Sequence, residues 1–157
     1  MKQMRRQECL MDAQWAQELI ASCEYAYLAT AGADGTPYCI AVSPVTVGDC
    51  IYFHCAPQGE KLDNIAGNAR VCLSAARRVQ TFSRELTVFY ESAVVRGTAQ
   101  VVQDAGQKRM ALTKLCEKYA PNEPAGSIRR ELDALLGKTA VVRISDLEYS
   151  GKSKYGK

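Results

Sequence analysis

Apolar and polar residues alternate with a period of two along most of this chain, and the period changes to a helical one in four places. Tyr25-Ala26-Tyr27-Leu28-Ala29-Thr30 reads as a strand, and Ala33-Asp34-Gly35-Thr36-Pro37 is turn chemistry. A second strand runs from Tyr38 to about Val47, and Gly48-Asp49 turns it into a third, Cys50–Cys55. Three strands joined by short turns predict an antiparallel meander. Val71–Ala75 is a further strand. Arg77–Glu85 is polar and aperiodic, which predicts a loop flanking or covering a site. Leu86–Val102 is a long β stretch with bends or bulges expected at Glu91-Ser92 and Gly97, and Thr139–Ile144 closes the series.

The helical segments carry their own stop and start signals. Asp12 caps a helix with Trp15, Leu19, Ile20 and Cys23 on one face. Leu62 and Ile65 share a face after Gly59. Asp104 and Gln107 form a capping box for a helix striped by Leu112, Leu115, Cys116 and Tyr119, which Pro121–Gly126 ends. Ile128, Leu132, Leu135 and Leu136 mark a shorter helix that stops at Gly137. About six strands without βαβ alternation predict a mainly β protein, a β-barrel with flanking helices, in a single domain over residues 1–157. Residues 1–11 and the basic tail 150–157 are expected to be flexible unless something holds them.

A formal net charge of +3 comes with no dense Lys/Arg cluster, so nucleic-acid binding is not indicated. No apolar run has the length of a membrane span, and Met1–Arg6 leads into no signal-peptide core, which places the chain in the cytoplasm as an expectation. The seven cysteines include no C-x-x-C pair, and Cys50, His54 and Cys55 lack metal-ligand spacing. Reduced thiols at apolar strand positions, such as Cys39 and Cys72, are expected instead.

The stretch with chemistry in it is Ile51–Ile65. It predicts a strand ending at His54, the only histidine, then the turn Ala56-Pro57-Gln58-Gly59, then a helix with Lys61 in its first turn. A glycine turn opening a helix, with a lysine beside it, can hold a phosphate. It is also an ordinary strand–turn–helix connection with a solvated lysine. Nucleophilic catalysis would have to use His54, but Cys55 should point to the opposite face, and no G-x-S-x-G elbow exists. Neither a P-loop nor a dinucleotide fingerprint is present.

The order Tyr27-Leu28-Ala29-Thr30, Asp34-Gly35-x-Pro37-Tyr38, Ile51–Ala56, Gly59-x-Lys61-Leu62-Asp63-x-Ile65 and Tyr149-Ser150-Gly151-Lys152 resembles the FMN-binding split barrel of pyridoxamine 5′-phosphate oxidase-like proteins. Within that group it is most similar to the 5-nitroimidazole resistance branch. The resemblance implies a homodimer with FMN at its interface. The flavin ring would lie on Tyr38, Ile40, Ala41 and Val42 and on Phe53, His54, Cys55 and Ala56, held largely by backbone. Gly59, Lys61 and Leu62 would take the phosphate, and His54 would stand beside the flavin as the catalytic residue. Ser92 and Lys152 complete the implied set, Ser92 reaching the partner's flavin. The implied reaction is transfer of electrons from NAD(P)H to a small acceptor such as a nitroimidazole or another nitroaromatic. Pro37–Val47 has no arginine for a substrate phosphate, so oxidation of pyridoxamine phosphate is not expected. Two other readings are a flavin- or haem-binding protein that stores, senses or shields a cofactor without rapid catalysis, and a cofactor-free structural dimer.

Overall fold

The computed structural model describes residues 4–155. After a 3-10 turn at Gln7–Cys9 come β1 (Leu10–Met11), α1 (Ala13–Ser22), β2 (Ala26–Ala31), β3 (Pro37–Val42), β4 (Val45–Val47), β5 (Cys50–Cys55) and α2 (Glu60–Gly67). There follow β6 (Arg70–Phe82), β7 (Thr87–Val101), α3 (Ala105–Tyr119), α4 (Ala125–Leu135) and β8 (Ala140–Ser153). The strands form one 8-stranded sheet in the order β3-β2-β6-β7-β8-β5-β4, with β1 added on β8. Every pairing is antiparallel.

The expected meander is corrected by this order. Tyr38–Val47 is two strands, parted at Ser43-Pro44, where proline has no N–H for a ladder. Its first half pairs with β2 and its second half with β5. Because β3 and β4 are opposite edges of the sheet and only Ser43-Pro44 separates them, the sheet must curl until its edges approach. The result is a barrel with one open seam.

Two apolar clusters hold it. Leu28, Phe53, Leu73, Val95 and Ile144 fill the interior with Leu19 and Ile20 of α1. Tyr52 and Val141 face the other way, onto Leu112 and Leu115 of α3 and Leu132 of α4. Period-two alternation in β5 thus serves both clusters, Ile51 and Phe53 inward and Tyr52 outward. Asp12 and Asp104 cap α1 and α3, accepting from the backbone N–H of Trp15 and Gln107, but the Gln107 side chain does not close the expected box. The Gln107 amide turns to the Tyr52 hydroxyl, tying α3 to the barrel. No helix among the described residues is long and apolar enough to cross a membrane.

Arg77–Glu85, expected as a loop, is mostly strand. β6 continues to Phe82, with a register shift between Arg77 and Gln80, and a 3-10 turn at Ser83–Glu85 leads into β7. This end of the hairpin is largely exposed on both faces, so pairing leaves no burial alternation for the sequence to display. Packing of Phe82 on Phe89, ring centroids 4.8 Å apart, joins its strands. The tail from Ser150 is held rather than free. Ser150–Ser153 completes β8, Lys152 pairs with Ser92 and with Leu10, and the Tyr155 hydroxyl donates to the Arg78 carbonyl. At the other end, Leu10–Met11 is likewise fixed as a strand; residues 1–3 and 156–157 lie outside the described part.

Glu91, where a bend was expected, is an electrostatic anchor. Its side chain is 7% exposed and accepts from Arg77 and Arg78, each at 2.6 Å. Burial pushes its carboxyl up, but the two guanidinium bonds outweigh this and hold it below the ordinary glutamate range. A depressed folded-state value means stability that is complete above the unfolded-state value and lost as pH falls through the folded one. Both arginines are about half exposed, which weakens the pair. Glu91→Gln should therefore cost about 1–2 kcal/mol at pH 7. The gap between variant and wild type should close as urea midpoints are followed from pH 6 towards pH 3; a constant gap would contradict the assignment.

Candidate functional site

The open seam of the barrel is the candidate site. Among the described residues β3 pairs with β2 and with no other strand. Across the seam, β4 covers only Cys50–Tyr52 of β5, so Phe53–Cys55 pairs with β8 alone. Two free backbone edges therefore flank a hollow of about 340 Å³, within the usual span for small-molecule sites of roughly 300–1,000 Å³. β3 and the crossover contribute Ile40, Ala41, Val42 and Ser43, β5 contributes His54 and Cys55, α2 contributes Lys61, and Tyr25 stands at the rim.

The Lys61 end is built by the turn. Gly59 caps α2 with φ +130°, a conformation that favours glycine, and its carbonyl accepts from the N–H of Leu62 at 2.8 Å. A Cβ placed on Gly59 would lie 3.9 Å from the Lys61 ammonium, which thus sits over the turn. Burial pushes the Cys55 thiol up and the Lys61 charge draws it partly back, which puts the ammonium inside the hollow's electrostatic reach. Among the described residues Lys61 has no acidic partner at ion-pair distance. α2 is fixed from behind by Ile65 in the core and by a buried bond of 3.0 Å from the Asn64 amide to the Thr30 hydroxyl. A cation over N–H groups at the start of an anchored helix is suited to an anion.

The hollow unites six residues expected from sequence: Ile40, Ala41, Val42, His54, Cys55 and Lys61. His54 is exposed, on the face of β5 that also carries Tyr52, whereas Cys55 packs partly on the barrel core, so the two point apart as expected. Phe53 is fully buried and borders the seam by its backbone alone. Tyr38 is half-buried further along β3, Ala56 and Gly59 are exposed in the turn, and Leu62 packs on the core. Ser92 and Lys152 are register partners on β7 and β8 and lie outside this hollow. The Lys152 ammonium donates to the Tyr90 hydroxyl at 2.6 Å. Its neighbour Gly151 has a packing role: a Cβ there would meet Trp15 at 2.8 Å, so glycine lets α1 lie on β8.

Tyr25 and Ser43 were not singled out from sequence as site residues. Tyr25, 54% exposed, offered the one available signal, an aromatic at the outer edge of a strand. Of the other tyrosines, Tyr149 packs on the core and its hydroxyl has no hydrogen-bond partner among the described residues. Tyr38, Tyr90 and Tyr149 do not converge on the hollow. All seven cysteines are free. Six are half-buried, and Cys39, expected as a small buried hydrophobe, is exposed because its side chain falls on the outer face of β3.

Several solved structures share this fold. One is a candidate 5-nitroimidazole antibiotic resistance protein from Bacteroides thetaiotaomicron VPI-5482, 22% identical, with a TM-score of 0.76 over 91% of this chain and 85% of that one. An FAD- and haem-binding protein from Mycobacterium smegmatis is 24% identical with a TM-score of 0.76, covering 96% of this chain and 75% of that chain. An FAD-binding protein from Mesorhizobium loti is 22% identical with a TM-score of 0.67, over 90% and 94%. At these identities the likeness is one of fold, a split barrel of the pyridoxamine 5′-phosphate oxidase type. No curated protein matches the chain. The family model for pyridoxamine 5′-phosphate oxidase matches residues 12–153, nearly the whole chain, and the chain belongs to that family.

Proposed function

We propose that this protein is an FMN-dependent oxidoreductase that carries electrons from NAD(P)H to a small acceptor such as a nitroimidazole or other nitroaromatic, and works as a homodimer. The observation that carries the reading is the seam: two strand edges without a partner strand among the described residues flank a hollow, and on its border, at a helix start, stands a lysine without an acidic partner among them. A flavin ring has a polar edge of ring nitrogens and carbonyls, which suits free backbone N–H and C=O groups, and its phosphate suits Lys61. The residues present fit FMN.

When bound, the flavin supplies the electron transfer. The protein would orient it: β3 and Phe53–Cys55 would offer backbone donors and acceptors, Lys61 and the Gly59 turn would neutralise the phosphate, and His54, which lines the hollow, would stand beside the ring. Reduction of a nitro to a nitroso group balances with one hydride from the nicotinamide and one proton, releasing water. The outer face of β2 and β3, where Tyr27 is about half exposed beside Ala29, Ala41 and Cys39, suits a second copy.

The test is the absorption spectrum of the purified protein with and without added FMN, followed by NADPH oxidation in the presence of a nitroimidazole. A flavin spectrum, acceptor-dependent oxidation and a dimer by light scattering are expected. Absence of FMN binding would overturn the flavin reading. A haem Soret band without nicotinamide oxidation would favour the cofactor carrier, a reading supported by the similar FAD- and haem-binding structure.

A further inference from the structure

Beside the flavin hollow lies a second one of about 680 Å³, and the two share Tyr25 and Ser43 as walls. Its far wall is the last turn of α3, which presents Lys118 and Tyr119, while Cys23 and Glu24 close it from the end of α1. The Lys118 ammonium donates to the Pro44 carbonyl at 2.7 Å, and the Tyr119 hydroxyl donates to the same oxygen at 2.8 Å. One of the three N–H donors of the ammonium is thereby used. Among the described residues no carboxylate lies within ion-pair distance of Lys118. The Cys23 thiol acts on both the Tyr119 hydroxyl and the Lys118 ammonium, and Glu24 acts more weakly on the hydroxyl. Burial holds the ammonium below the usual lysine range, so a bound anion would relieve it. Tyr25 adds an exposed aromatic face at the boundary between the hollows.

We infer that this second hollow binds the electron acceptor, and that Lys118 selects planar aromatic acceptors bearing a carboxylate or similar anionic group. The inference rests on the flavin reading for its purpose and on the Lys118 hollow for its chemistry. A half-buried cation without a carboxylate partner among the described residues, next to an aromatic wall, recognises an aromatic anion by charge-assisted hydrogen bonding and ring contact. The bond to Pro44 fixes the ammonium, so little side-chain freedom remains to be lost on binding.

The probes are 4-nitrobenzoate and its neutral twin 4-nitrobenzamide, titrated by equilibrium dialysis into wild type, Lys118→Met and Lys118→Arg, with and without added FMN. Wild type should bind the anion about tenfold more tightly than the amide. Lys118→Met should lose that preference while still binding the amide, which reports an intact hollow, and Lys118→Arg should keep it. Equal affinity for the twins in wild type, or a preference surviving in Lys118→Met, would overturn the inference. FMN titration of the same samples separates the two readings. FMN binding without anion preference removes the acceptor site alone, and anion preference without FMN binding removes the flavin reading alone.

Discussion

Gly97→Ala is expected to lower the thermal midpoint by about 6–12 °C, corresponding to roughly 3 kcal/mol in a domain of this size. Gly97 sits where β7 changes register against β8, between Arg96 and Thr98. A Cβ there would lie 2.6 Å from the Ser145 carbonyl oxygen, 2.6 Å from Ile144 Cγ2 and 3.0 Å from Leu147 Cδ2. Side chains can yield, but the Ser145 oxygen belongs to the β8 backbone, and moving it disturbs the ladder that carries Ile144 into the core. Gly126 is the control. A Cβ on it, in the first turn of α4, meets nothing within 4 Å, so Gly126→Ala should be neutral or slightly stabilising through helix propensity. Differential scanning calorimetry on both variants checks the pair. Equal midpoints for Gly97→Ala and wild type would mean that β8 can shift at this bulge without cost.

Lys61→Ala should weaken FMN binding by tenfold or more. The substitution removes a charge-assisted contact to phosphate, worth about 1.5–3 kcal/mol, and leaves the flavin ring contacts in place. Stability should change little, because Lys61 has no carboxylate partner among the described residues and α2 is held by Ile65, Asn64 and Leu62. Fluorescence titration with FMN and with riboflavin divides the effect by group. The loss should appear with FMN and vanish with riboflavin, which has no phosphate. An equal loss for both ligands would place the phosphate elsewhere, with Lys152 the next position to substitute. Raising the salt concentration should weaken FMN binding in wild type more than in Lys61→Ala, since screening acts on the contact the variant lacks.

The chain displays much of this site locally. Strand β5, the Gly59 turn and α2 are consecutive, so their periodicity and turn chemistry are visible in fifteen or so adjacent residues, and Lys61 stands out by its place in the first helical turn. Asp12 and Asp104 announce helix starts for the same local reason. The hairpin beyond Arg77 is hidden because its backbone pairs while its side chains stay in solvent. The tail is hidden because nothing in Ser150–Ser153 reveals that β7 and β1 lie on either side of it.

By itself, then, the sequence indicated most of the strand and helix segments and the Asp12 and Asp104 caps, which follow from neighbours a few residues apart. Only the tertiary structure decided that Tyr38–Val47 divides at Pro44 between opposite sheet edges, that those edges leave a seam, and that Tyr25, Ser43 and Lys118 meet beside it. The physical reason is that periodicity records which face of a segment is buried, while register and partner choice depend on contacts distant in the chain.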